Sequence, residues 1–104
     1  SSSAASDVYK RQSLIEVAEC KSDKDGLIVA AELVEAAIQV STMQNRGGMK
    51  SRSVKLLGSK LDQFRKRCKV HRWTNSLALL KKAFSVLKET RDEEERVTNE
   101  LYSL

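Results

Sequence analysis

No proline occurs anywhere in these 104 residues, so no position is barred in advance from the interior of an α-helix. Leu, Lys, Ala and Glu are abundant, and such residues lose little rotamer freedom in a helix. Aromatics are scarce, at 5%. The breaks must come from glycine and from small polar residues. The expected fold class is all-α.

Four segments carry helical periodicity. Residues 13–20, SLIEVAEC, form a short amphipathic stub. Residues 29–43 set Leu33, Ala36, Ala37 and Val40 at i, i+3, i+4 and i+7, one stripe on a helix. Gln44-Asn45-Arg46-Gly47-Gly48 should stop that helix, since Asn and Gly favour the left-handed conformation. Residues 50–70 place Val54, Leu57, Leu61, Phe64 and Cys68 at alternating spacings of three and four, a heptad-like seam. Gly58 interrupts it at a cost of about 1 kcal/mol relative to Ala. Thr74 or Asn75 can cap a last helix over residues 75–101, whose stripe is Leu77, Leu80, Phe84 and Leu87, then Val97, Leu101 and Leu104.

That last helix would span roughly 40 Å, against about 22 Å for residues 29–43. Its distal half, KETRDEEERVTNELYSL, cannot lie wholly against a core of this size. Asp92 and Arg96 are spaced to pair at i, i+4. Val97 and Leu101 are expected to meet a protein partner or helices lying upstream.

Residues 21–32 read KSDKDGLIVAAE. This string resembles the twelve-residue calcium loop of the EF-hand family. Asp23 and Asp25 match its third and fifth positions, Gly26 the sharp turn at the sixth, and Leu27 the backbone carbonyl at the seventh. Ile28 matches the strand position at the eighth, and Glu32 the closing bidentate carboxylate at the twelfth. The resemblance implies a helix–loop–helix over residues 13–45, with Asp23, Asp25, Leu27 and Glu32 as the metal-facing set. Two positions depart from the family pattern: Lys21 stands at the first, where the family has Asp, and Val29 at the ninth. Three carboxylates and a carbonyl fall short of the six to eight oxygens calcium prefers. Calcium binding is therefore expected to be weak or absent, with no other cofactor. Without the family, Asp-Lys-Asp-Gly is a turn signal between two helices.

Charge is unevenly spread. Residues 13–45 carry two basic and six acidic side chains; residues 46–72 carry ten basic side chains against Asp62 alone, a net of +9. Residues 73–104 carry five basic and six acidic. The densest run is Arg65-Lys66-Arg67-Cys68-Lys69-Val70-His71-Arg72-Trp73. Arg65, Lys66, Arg67, Lys69, Arg72 and Trp73 form the expected interaction cluster, though Trp73 also suits a core or hinge role. Such a cluster suits an acidic protein or membrane surface, or a phosphate backbone. Otherwise it is a solvated face offsetting the acidic region before it.

Catalysis has little to draw on. His71 is the single histidine and lies among arginines, with no nucleophile–base spacing, phosphate-cradling loop or metal cluster beside it. Cys20 and Cys68 are distant in sequence and are expected to be reduced core thiols, and cysteine usage alone then sets the expectation of an intracellular, cytoplasmic protein. No apolar run approaches the roughly 20 residues that span a bilayer.

Residues 2–12, SSAASDVYKRQ, resemble the translation of a sequencing adaptor. That resemblance implies a non-native, disordered leader over residues 1–12, with native sequence beginning near Ser13. Residues 46–104 then form a basic helix and a long C-terminal helix, making one small helical unit with residues 13–45. The function expected is a non-enzymatic regulatory or protein-interaction module built on a degenerate EF-hand-like motif. The rival is a basic helical element that binds nucleic acid or is purely structural.

Overall fold

The computed structural model of the chain describes residues 20–103. The leader, the stub before Cys20 and Leu104 lie outside the described residues. Those described form three α-helices, α1 (Asp23–Thr42), α2 (Met49–His71) and α3 (Thr74–Tyr102), with a 3₁₀ turn at Arg46–Gly48. No strand occurs among them.

The first helix begins earlier than periodicity suggests, and this changes the reading of residues 21–32. Ser22 is extended and its Oγ accepts the Asp25 N–H at 3.2 Å. The Asp25 carboxylate accepts the Lys21 N–H at 3.2 Å in return. This exchange is close to a capping box, and Asp23 and Asp25 place negative charge in the first turn, where the helix dipole favours it. Residues 23–32 are therefore helix, not the loop expected from the calcium-loop spacing. Two helix-initiating contacts outcompete the turn tendency of Asp-Lys-Asp-Gly, and the apolar run after Gly26 carries the helix on.

Gly26 has a different task from the expected sharp turn. It is buried within α1, and a Cβ there would run into Ser76 Oγ and lie 3.1 Å from Ser76 Cβ and 3.4 Å from Trp73 Cε3. The missing side chain lets the starts of α1 and α3 touch. Glycine normally weakens a helix by about 1 kcal/mol relative to Ala; here it permits an approach that Ala could not.

Helix α1 lies along α3 more extensively than along α2. The two run parallel, since Asp23 meets Ser76 at the start of both. Helix α2 runs the other way: Lys50 Nζ donates to Ser41 O at 3.1 Å near its start, and Arg67 Nη2 to Cys20 O at 2.6 Å near its end. The buried face of α1 is Gly26, Val29, Ala30, Val34 and Ala37. Of the expected stripe, Ala37 is fully buried, while Leu33, Ala36 and Val40 pack at the margin of the core. Close parallel packing centres the face on its smallest residues, and the larger ones move to the flanks.

Helix α2 buries Val54, Leu57, Leu61, Phe64 and Cys68, all five positions of the seam. Gly47 and Gly48 have φ of 58° and 75°. They lead into α2 and do not terminate α1, which has already ended at Thr42 with Met43 extended. The α2–α3 corner closes on Arg72, at φ 57°. Trp73 N donates to Cys68 O at 2.9 Å and Arg72 N to Lys69 O at 3.3 Å, the pairing of a Schellman motif. Arginine occupies the left-handed position that glycine usually takes.

Helix α3 buries Ser76, Leu80, Ala83, Leu87 and Thr90. Leu77 and Phe84, expected in its core stripe, are only partly buried. Glu94 is the last side chain held against the bundle, accepting from Ser51 Oγ at 3.3 Å. From residue 95 to 103 every side chain is exposed. This overhang is about 13 Å long.

Candidate functional site

The basic cluster of the sequence divides once it is folded. Arg67 and Trp73 face inward. Arg67 binds the Cys20 carbonyl, its guanidinium lies 5.7 Å from the Trp73 ring, and Trp73 is 6% exposed. Trp73 is therefore a core residue at the α2–α3 corner, with His71 stacked on it at 4.7 Å. Its burial takes it off any interaction surface. Lys66 and Arg72 are exposed and do not line the groove described next.

Arg65 and Lys69 form one side of a groove between α2 and α3. Leu77, Leu80 and Phe84 make its floor, and Lys81 closes the other side. Residues 65 and 69 stand one turn apart on α2, while 77, 80/81 and 84 stand one turn apart on α3. The Arg65 guanidinium lies 4.5 Å from the Phe84 ring centroid and pairs with Asp62 at 2.8 Å, so it is fixed over the apolar floor. The groove holds about 240 Å³, below the roughly 300–1,000 Å³ of small-molecule sites. It suits one or two inserted side chains with negative charge at the rim. Sequence reasoning found Arg65 and Lys69 and missed Lys81, which belongs to the next helix and lies outside the basic run.

The expected calcium ligands do not converge. The Asp23 carboxylate sits on the first turn of α3, accepting the Ser76 N–H at 2.8 Å and the Asn75 N–H at 3.2 Å. Ser76 Oγ lies 2.7 Å from Asp23 Oδ1 and 2.9 Å from Asp23 O. These bonds, the Ser76 hydroxyl and amide foremost, hold the Asp23 carboxyl below its ordinary value. Asp23 thus caps α3 from another helix, in place of the Thr74 or Asn75 cap expected from the sequence; Trp73 at the cap position offers no side-chain bond. Asp25 binds back to Lys21, and Leu27 and Glu32 lie farther along α1. Among the described residues no three His, Cys, Asp or Glu side chains gather as a metal ion requires.

Cys20 and Cys68 are both free and buried, at 1% and 0% exposure. Burial pushes the Cys68 thiol up to about 11 and raises that of Cys20. A thiol kept protonated and out of water is a poor nucleophile. These two act as small core residues.

The overhang of α3 presents the other expected interaction residues. Val97 is 42% and Leu101 67% exposed, with Tyr102 beside them at 87%. Surface ion pairs run along the helix: Lys88–Asp92 at 3.0 Å, and Arg96 to both Glu93 and Glu100 at 2.6 Å. Asp92 pairs with Lys88, so the expected Asp92–Arg96 pair is replaced by neighbours with better reach. Arg96 correspondingly holds the Glu93 carboxyl below its ordinary value.

No protein-family model, no curated protein and no solved structure matches this chain. Among the described residues no helix is long and apolar enough to cross a membrane.

Proposed function

We propose that this chain is a non-enzymatic protein-interaction module whose α2–α3 groove holds an acidic, amphipathic helix. The observation that carries this reading is the combination in one groove of an apolar floor, Leu77, Leu80 and Phe84, with three cations at the rim, Arg65, Lys69 and Lys81. An inserted helix would place one or two apolar anchors on the floor and acids against the rim, the helix-in-groove mode. Apolar anchors supply most of the affinity, and the rim charges supply orientation and encounter rate. A phosphate backbone would use the cations but leave the apolar floor unfilled, and the burial of Trp73 removes the aromatic of the cluster from base stacking.

The test is an amide-shift titration of the full chain with a synthetic helical peptide bearing leucines at i, i+4 among glutamates. Shifts should concentrate at residues 65, 69, 77, 81 and 84. A generic DNA duplex is titrated in parallel, and phosphate binding would show as steep salt dependence. Duplex binding along the exposed lysines of α2, with no peptide-induced shift in the groove, would overturn this reading.

A further inference from the structure

We infer that the helix which fills this groove is the distal end of α3 from a second copy of the chain. The inference rests on reading the groove as a helix-docking site, and it names the occupant. Two surfaces on the molecule are complementary. The groove is apolar at its floor and carries Arg65, Lys69 and Lys81 at its rim. The overhang and the turn before it, residues 92–103, carry Asp92, Glu93, Glu94, Glu95 and Glu100 against Arg96, a net of −4; Glu94 accepts from Ser51, and the other acids are exposed. Its apolar side chains, Val97 and Leu101, stand one turn apart on a single face and are largely exposed. That is the pattern of two anchors flanked by acids that the groove accommodates.

The contact cannot form within one chain. Groove residues Leu77 to Phe84 and overhang residues Val97 and Leu101 belong to one unbroken helix, Thr74–Tyr102. Neither proline nor glycine interrupts it, and the two sites are separated by about 25 Å of helix axis. The overhang of one copy must therefore enter the groove of another. The surfaces joined are different, so the contact is heterologous: each copy offers one groove and one tail. Such contacts propagate into rings or open chains unless one surface is blocked. The charges at the rim also make association weaken as salt screens them.

Sedimentation equilibrium of the full chain, from roughly 10 µM to roughly 1 mM, tests this over the range suited to a small interface. The weight-average mass should rise above the monomer's 11.7 kDa with concentration and fall back in high salt. Leu101→Asp and Lys81→Glu, both at exposed positions, should each weaken association by about tenfold or more, with unchanged thermal unfolding. An equimolar mixture of the two variants retains one intact groove and one intact tail, and should form pairs but nothing larger. Three results overturn the inference. One is a monomer at every concentration. Another is a Lys81→Glu chain that associates like the parent. The third is a mixture that fails to pair, which would point to tail–tail contact. If the chain stays monomeric yet the acidic peptide shifts the groove, the interaction module stands and only the second copy is excluded. If neither occurs, both readings fall.

Discussion

The two ends of α3 are built on opposite principles. Its first turn is enclosed: Ser76 is fully buried, Gly26 leaves room for it, and Asp23 caps the helix from α1. Its last residues, 95–103, are all exposed, and surface ion pairs run along them. One helix thus carries both an anchored end, where Asp23 holds the Asn75 and Ser76 amides and the Ser76 hydroxyl, and a presenting end, where apolar side chains are exposed. Exposed ion pairs contribute little to stability, so the free end is specified by helix propensity while the enclosed end is specified by fit.

The sharpest way to break this contrast is to make the same change at both ends. Leu80→Ala, in the core, should cost about 3 kcal/mol through lost burial and a residual cavity. Leu101→Ala should stay within about 0.5 kcal/mol. Urea unfolding checks both, and a comparable loss at Leu101 would mean the overhang is packed after all. Gly26→Val comes next. Its branched side chain would be driven into Ser76 and Trp73, with an expected loss of about 2–3 kcal/mol. A neutral outcome would show that the starts of α1 and α3 are not in close contact.

The Asp23 cap gives the contrast a pH signature. Its hydrogen bonds hold the folded carboxyl below the ordinary 3.8, so its stabilisation is full above about pH 4. It is lost as pH falls through the lowered folded value. Thermal unfolding of Asp23→Ala against the parent should show the widest gap near neutrality, closing in acid. A gap independent of pH would mean that the carboxylate's charge plays no part in the cap. The smallest effect has the opposite sign. Arg72→Gly removes a Cβ from a left-handed residue and should stabilise by about 0.5–1 kcal/mol, read as a small rise in the urea midpoint.

Much of the fold was legible where the signal is periodic within one helix. Val54, Leu57, Leu61, Phe64 and Cys68 are the buried face of α2, because a seam of threes and fours can face only one way. The overhang was legible too, since a helix longer than its neighbours must project. The start of α1 was misread for a physical reason. Ser22-Asp23-Lys24-Asp25-Gly26 satisfies both a turn signal and an S-x-x-D capping pattern, and local sequence alone does not rank them. The groove was half legible: Arg65 and Lys69 stand in a visible basic run, but Lys81 becomes their neighbour only when α3 folds back on α2.

The sequence by itself determined an all-helical chain, the seam of α2, the breaks near 44–48 and 72–73, and the charge asymmetry. These follow from propensity, period and composition, which act over a few residues. The tertiary structure alone decided that Gly26 serves a close approach, that Asp23 caps a helix through amides 52 and 53 residues away, and that Arg67 and Trp73 turn inward. It also decided which cations share a groove with Leu77, Leu80 and Phe84. Each of those depends on which helix faces which across a few ångströms, and that distance has no signature in the order of residues.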